Sequence, residues 1–221
     1  MDLLNIISVY SILFPFFIGI FFLNRLSKDS IVIWGIAAAG IIPQMLRPIL
    51  DKTIYLNVSY NLYAAVEFLL MAILFSNKFM ATNPRRLFRV SVYVYIIIGL
   101  TLLIVNGVEE RFLYELICLS SLLYTAWILM LIVEQFDDRT DRIEISFSSS
   151  FTWFLLGMFF YALGTIMIFA FWNFVKDGPV KISRLLTGIH SVFNIILYLF
   201  MCIGLTIDFF EKTPKAGKRY I

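Results

Sequence analysis

Seven apolar runs, each about 19 to 27 residues long and nearly free of charge, follow one another along the chain. About 20 apolar residues in a helix are needed to cross a hydrocarbon core of about 30 Å, where backbone polar groups must be bonded within the segment. The runs therefore predict an all-α integral membrane protein, a single domain over residues 1–221 formed by a bundle of seven transmembrane helices. The predicted spans are about 3–23, 31–50, 57–76, 88–106, 112–133, 147–173 and 183–209.

The composition supports this class of protein. Hydrophobic residues make up 61% of the chain and charged residues only 15%, whereas soluble domains have roughly 45–50% and about 25%. Runs such as residues 154–172 do not alternate between apolar and polar side chains, as the strands of a membrane barrel do. The connections between runs are short, and such links make consecutive helices antiparallel neighbours.

The basic residues are divided unequally between the two sides of the predicted bundle. With seven spans, twelve Lys and Arg residues fall on the side of the C-terminus and six on the side of the N-terminus. Because short cytoplasmic loops carry an excess of Lys and Arg, this pattern predicts the N-terminus outside and the C-terminus in the cytoplasm. We name the two sides of the bundle the predicted outer end and the predicted inner end.

The polar side chains inside the spans are predicted to gather at one depth. Glu67 lies near the middle of the third span, where a carboxylate costs at least about 2.5 to 3.5 kcal/mol. We therefore expect Glu67 to face the bundle and either to be protonated or to have a partner, for which Arg47 is the candidate cation. The predicted ligand-binding residues, all in the outer half, are Glu67, Tyr63, Arg47, Gln44, Glu115, His190 and Asn194.

A structural interpretation of the same residues stays open. In this interpretation Glu67 and Arg47 serve only to fix the second span against the third, since membrane proteins use polar contacts for helix association. The inner halves of the spans are mostly apolar, and Asp208 and Glu134 lie near enough to the inner surface to extend their carboxylates into water. Pro15 is predicted to kink the first span.

Gly157 and Gly164 in the sixth span predict close helix packing, since small residues let helix backbones approach each other in membranes. Both lie in the run "FLLGMFFYALGTIMIFAFW", which is otherwise rich in large side chains. We therefore expect this span to pack tightly against a neighbouring helix.

Several classes of function are excluded by the residues that are missing. His190 is the single histidine, so a zinc hydrolase would lack ligands. No lysine falls inside a predicted span, which excludes a retinal Schiff base, and neither a nucleophile elbow nor a phosphate-binding loop is present. We expect no enzyme activity, no catalytic residues, no metal site, no cofactor and no nucleic-acid partner.

Three stretches of sequence resemble a family of uncharacterised bacterial integral membrane proteins of about this length. They are "IISVYSILFPFFIGIFFLNRLS", "NLYAAVEFLLMAILFSN" and "HSVFNIILYLFMCIGL", from the start, the third span and the last span. Tyr63 and residues 67–70 match the family pattern of an aromatic residue a few positions before Glu-Phe-Leu-Leu, and residues 194–196 match its last-span pattern. Leu197, however, stands before Tyr198, where the pattern has tyrosine directly after Asn-Ile-Ile. Members of that family accompany small histidine kinases that lack their own sensory domain. The resemblance implies a sensory subunit in the bacterial inner membrane.

The sequence thus favours a receptor-like or sensory membrane subunit, with a polar pocket in the outer half of the bundle. Its expected partners are the lipid bilayer and a cytoplasmic or membrane signalling protein such as a histidine kinase. Two alternatives remain. The Pro43–Gln44 pair is typical of small-solute transporters of the PQ-loop and SWEET kind, although no second copy is present. A purely structural membrane subunit would need no pocket.

Overall fold

The computed structural model describes residues 3–46, 53–107, 113–136, 149–170 and 180–211, and the regular structure within them is entirely helical. The helices are α1 (Leu3–Ser11), α2 (Leu13–Phe22), α3 (Lys28–Leu46), α4 (Thr53–Phe75), α5 (Thr82–Asn106), α6 (Tyr114–Phe136), α7 (Ser150–Ala170) and α8 (Val180–Glu211). A short 3-10 turn, Leu23–Arg25, follows α2. The prediction of an all-α protein is confirmed.

Within the described residues, six helical segments are long and apolar enough to cross a membrane. The first of them, Leu3–Arg25, combines α1, α2 and the turn, and the other five lie in α4 to α8. Helix α3 overlaps the second predicted span but is not among the six. The chain is therefore a helical membrane protein with six to seven long apolar helices. The exact number of crossings and their orientation remain predictions.

The first span is broken at Ile12, close to the kink that Pro15 predicts. Proline has no backbone N–H to donate to the carbonyl four residues earlier, so the helix is interrupted there. Just before the break, the Ser11 hydroxyl donates to the Ser8 carbonyl at 2.6 Å. Beyond the break, the Trp34 indole N–H donates to the Phe16 carbonyl at 3.0 Å, which fixes α2 against α3.

Helices α7 and α8 pack closely along their length because glycines remove side chains from the contact. A Cβ atom on Gly157 would lie 2.8 Å from the Cβ of Phe200, and one on Gly164 would lie 2.2 Å from the Phe193 ring. On α8, a Cβ on Gly204 would lie 2.8 Å from the Ser150 carbonyl oxygen. The prediction of close packing at Gly157 and Gly164 is confirmed.

An aromatic core joins α4, α5 and α6. Trp127 is fully buried and donates its indole N–H to the Ser91 hydroxyl at 2.9 Å. Phe68 stacks on Tyr95 with 3.6 Å between ring centroids, and on Tyr124 at 6.0 Å. Rigid rings in contact hold the three helices in a fixed register at this level.

The predicted inner end is closed by hydrogen bonds between helices. The buried Ser30 hydroxyl on α3 donates to the Ser150 hydroxyl on α7 at 2.8 Å. Lys78, in the loop after α4, is paired with Asp29 at the start of α3 and lies 4.5 Å from the Phe151 ring centroid. The inner end is therefore more polar than the sequence suggests, because serines contribute much of its hydrogen bonding.

The prediction that Asp208 and Glu134 extend into water is wrong. Asp208 is buried at 8% exposure and accepts a hydrogen bond from the Ser27 backbone N–H at 2.5 Å. Glu134 is partly buried and accepts bonds from the backbone N–H groups of Met80, at 2.9 Å, and Ala81. Both carboxylates bind unpaired N–H groups in the turns before α3 and α5, which stabilises them inside the protein.

Candidate functional site

The Glu67 side chain lies on the bundle side of α4. Ala64 and Met71, three residues before and four residues after it, are buried at 9% and 0% exposure and share its face of the helix. Leu69 and Ile73 mark the opposite, lipid-facing side, with 51% and 58% of their surface exposed. Glu67 is thus turned away from lipid, as its insertion cost requires.

Tyr63 holds Glu67 from one helical turn away. The Tyr63 hydroxyl lies close enough to the Glu67 carboxylate to interact with it as a hydrogen-bond donor, as side chains at positions i and i+4 can. Tyr63 also reaches α3, because a Cβ atom on Gly40 would lie 3.3 Å from the Tyr63 hydroxyl. Gly40 therefore leaves the space that the tyrosine occupies.

Four further tyrosines on four other helices lie within electrostatic reach of the Glu67 carboxylate. They are Tyr95 on α5, Tyr124 on α6, Tyr161 on α7 and Tyr198 on α8. We name these four residues and Tyr63 the tyrosine cage. Every helix from α4 to α8 contributes one member, so the single carboxylate lies where five helices converge.

The members of the cage differ in burial. Tyr95 and Tyr124 are buried, with 5% and 1% exposure, in the aromatic core. Glu67, Tyr161 and Tyr198 keep part of their accessible surface. Helix α4 packs closely against α3, and α7 packs closely against α8.

The predicted candidates omitted four of the five cage tyrosines, although the sequence carries a signal for them. Each lies near the middle of its helix, within an otherwise apolar run. In antiparallel helices that cross the same membrane, residues at the midpoints share one depth. One central tyrosine in each of five successive spans is therefore a detectable pattern.

Two other predicted residues, Gln44 and His190, have buried atoms without a hydrogen-bond partner. Among the described residues, the Gln44 Oε1 and the His190 Nδ1 accept or donate no hydrogen bond. His190 lies between aromatic rings of α7, with centroid distances of 5.8 Å to Tyr161 and 6.1 Å to Phe169. His190 thus reaches the cage through Tyr161, whereas Gln44 lies near the end of α3.

The remaining predicted residues are placed as follows. Arg47 lies outside the described residues, so its expected pairing with Glu67 stays a prediction. Glu115 is in the first turn of α6 and is partly buried. Asn194 is partly buried on α8, one turn after His190. The structure joins Tyr63 to Glu67, and the binding role of all seven residues stays a prediction.

A groove runs between α3 and α4 in the predicted outer half, and Tyr63 is one of the residues that line it. It encloses a volume of about 400 Å³ and is lined almost entirely by apolar atoms, including those of Pro43 and Val66. Two lining residues, Ile42 and Leu62, are 59% and 62% exposed, so the groove opens toward lipid. Tyr63 lines the groove and also interacts with Glu67, so this side chain belongs to both the groove and the cage.

No protein-family model matches the sequence, and no curated protein or solved structure is significantly similar to it.

Proposed function

We propose that this chain is a receptor-like membrane subunit in which a ligand binds at Glu67 and the binding is transmitted to the predicted inner end. The observation that carries the proposal is the convergence of five helices on one carboxylate through the tyrosine cage. A ligand that bonds Glu67 contacts several helices at once. Their relative positions then depend on whether the site is filled.

The hydrogen bonds at the predicted inner end favour a sensor rather than a transporter. Alternating access requires the bundle to open on both sides of the site in turn. Here the bonds from Ser30 to Ser150 and from Ser27 to Asp208 connect α3, α7 and α8 beneath the cage. Helices connected in this way can transmit a small displacement from the cage to the inner end, since packed interfaces switch between discrete arrangements.

The proposed topology is seven spans in one domain, with the N-terminus outside and the C-terminus in the cytoplasm of a bacterial cell. This orientation opens the cage region toward the outer half and presents the inner end to a cytoplasmic or membrane partner. A histidine kinase without its own sensory domain is the class of partner that we propose. The uneven distribution of Lys and Arg supports the orientation.

The test is a comparison of Glu67→Gln with Glu211→Gln in the source organism. The first removes the cage charge, and the second makes the same chemical change at an exposed residue of α8. After deletion of the gene and complementation, we expect the Glu67→Gln strain to reproduce the transcript profile of the deletion strain. The Glu211→Gln strain should match wild type. Immunoblots of membranes must show equal amounts of the three proteins.

Three results would argue against a sensor. Deletion without any transcriptional change would contradict it directly. A Glu67→Gln strain that matches wild type would favour the structural alternative, in which glutamine replaces most of the helix contact. Concentrative uptake of a solute by proteoliposomes containing the purified chain would favour the transporter.

A further inference from the structure

The charge of Glu67 has no opposite charge beside it among the described residues. The interactions acting on this carboxylate are burial and the Tyr63 hydrogen bond, with no described Lys, Arg or His among them. In the described part of the chain, the ion pair found is the one between Lys78 and Asp29, at the predicted inner end. A carboxylate in the middle of a membrane bundle is stabilised either by a proton or by a cation, and a cationic ligand would supply the second.

The groups around the carboxylate are those that proteins use for organic cations. Aromatic rings attract ammonium groups through their negative faces, and phenol oxygens can accept hydrogen bonds. A metal ion would require several oxygen, nitrogen or sulfur ligands. No group of three or more His, Cys, Asp or Glu side chains suited to a metal is found in the described residues. One carboxylate among five phenols therefore fits an ammonium group better.

The groove between α3 and α4 indicates a second property of the ligand, an apolar substituent. Its walls are apolar, its volume is about 400 Å³, and it meets the cage at Tyr63. An apolar substituent on the cation would bury its surface there while the ammonium group approaches Glu67. Binding sites are commonly built in this way, with an apolar cavity and a few polar groups that fix orientation.

We propose that Glu67 and the tyrosine cage bind the ammonium group of an organic cation whose apolar part lies in the groove between α3 and α4. The inference rests on the proposed function, because it names the ligand class for the same site. A ligand of this kind partitions into the outer leaflet and reaches the site laterally, past the exposed side chains of Ile42 and Leu62.

The test uses hexyltrimethylammonium, tetramethylammonium and hexan-1-ol as probes, with the purified full chain in nanodiscs and empty nanodiscs as the blank. Binding is measured by equilibrium dialysis. We expect hexyltrimethylammonium to bind at least tenfold more tightly than tetramethylammonium, since each buried methylene adds up to about fourfold. Hexan-1-ol, which has the chain without the charge, should compete at least tenfold less well than hexyltrimethylammonium.

Two variants separate the charge from the groove. Glu67→Gln should weaken hexyltrimethylammonium at least tenfold, whereas Glu211→Gln should not change it. Ala39→Leu places a larger side chain in the groove lining and should remove most of the preference for the hexyl chain. Ala126→Leu, the same change at an exposed site on α6, is its control.

Several outcomes would overturn the inference. Wild-type protein that binds neither cation, or a Glu67→Gln variant that binds them equally well, would exclude an ammonium site. If the Arg47→Gln variant binds the cations and the wild-type protein does not, Arg47 supplies the cation in the native chain. An unchanged chain preference in Ala39→Leu would exclude the groove. If Glu67→Gln does not fold, the comparison of hexan-1-ol with hexyltrimethylammonium on wild type still decides whether charge is required.

The result is separable from the proposed function. If Glu67→Gln alters transcription in the source organism while no cation binds, the sensor stands and the ligand class is wrong. If the cations bind at Glu67 while transcription is unaffected, the site stands and the sensory function is wrong.

Discussion

Buried carboxylates of this protein have two different environments, and each environment indicates a different role. Asp208 is bonded to the backbone N–H that precedes α3, and this bond closes the predicted inner end. Glu67 interacts with the Tyr63 phenol and lies among further phenols, with no described basic side chain among the groups that act on it. The structural carboxylate, Asp208, thus accepts a hydrogen bond from the backbone. The candidate binding carboxylate, Glu67, instead interacts with a side chain.

Replacing Asp208 should lower stability without affecting the cage. Asp208→Ala leaves the Ser27 N–H without its acceptor in a buried place, a loss of about 1 to 3 kcal/mol. The measurement is thermal unfolding in detergent, with Glu211→Ala at the exposed end of α8 as the control. Equal unfolding temperatures for the two variants would contradict the role assigned to Asp208.

The site could be predicted from sequence only in part, for a reason that belongs to single residues. Glu67 and Tyr63 are conspicuous because a charge in an apolar run needs a partner. Tyr161 and Tyr198 are less so, since tyrosine is also common where a helix meets the membrane interface. The structural bonds of Ser30 and Asp208 could not be predicted at all. A serine or an acid near a helix end gives no sign in the sequence of the bond that it makes across the bundle.

Among the elements, the pair formed by α7 and α8 is the most tightly constrained. Glycines on both helices bring the two backbones together, and Gly204 touches the first residue of α7. Because α8 also carries Tyr198 and α7 carries Tyr161, the spacing of the two helices sets the distance between two walls of the cage. Adding one methyl group to this contact should therefore also change the geometry of the tyrosine cage.

We expect Gly204→Ala to destabilise the protein by about 1 to 3 kcal/mol, the range for overpacked contacts. The new Cβ atom would lie 2.8 Å from the Ser150 carbonyl oxygen, a backbone atom that cannot move aside alone. Gly35→Ala is the matched control, since its Cβ atom would meet only Leu70 at 3.8 Å. Unfolding temperatures in detergent should fall for the first variant and stay level or rise for the second.

The positions of the helices could be predicted closely from sequence because apolar length is a strict requirement of the bilayer. The predicted span 57–76 and the helix Thr53–Phe75 differ by a few residues. Lateral packing is a different matter. It depends on glycine contacts and serine bonds such as Ser30 to Ser150, for which hydrophobic patterning carries no information.

At the scale of the whole molecule, the orientation of the bundle in the membrane decides from which side a ligand can reach the site. If the N-terminus lies outside, the groove and the cage are open to the external leaflet. If the molecule is inverted, the same features face the cytoplasm and a signal would travel outward. The physical argument for the first orientation is the excess of Lys and Arg on the other side.

Reporter fusions test this orientation. A reporter that is active only in the cytoplasm should give signal when fused after Ile221 and none when inserted after Lys52. The control is a fusion in the loop that follows α4, after Asn77, which is predicted to lie on the cytoplasmic side. Signal after Lys52 combined with silence after Ile221 would invert the topology and place the groove in the inner leaflet.

Helix α8 is longer than the membrane it is expected to cross. Its 32 residues give a length of about 48 Å, beyond the roughly 40 to 45 Å of a bilayer with its headgroups. Helix α7, with 21 residues, is about 32 Å long and fits the hydrocarbon core. A helix in such mismatch responds to a thinner bilayer by tilting. Because Tyr198 and Asp208 lie on α8, lipid thickness itself would change the angle between the cage and the inner end.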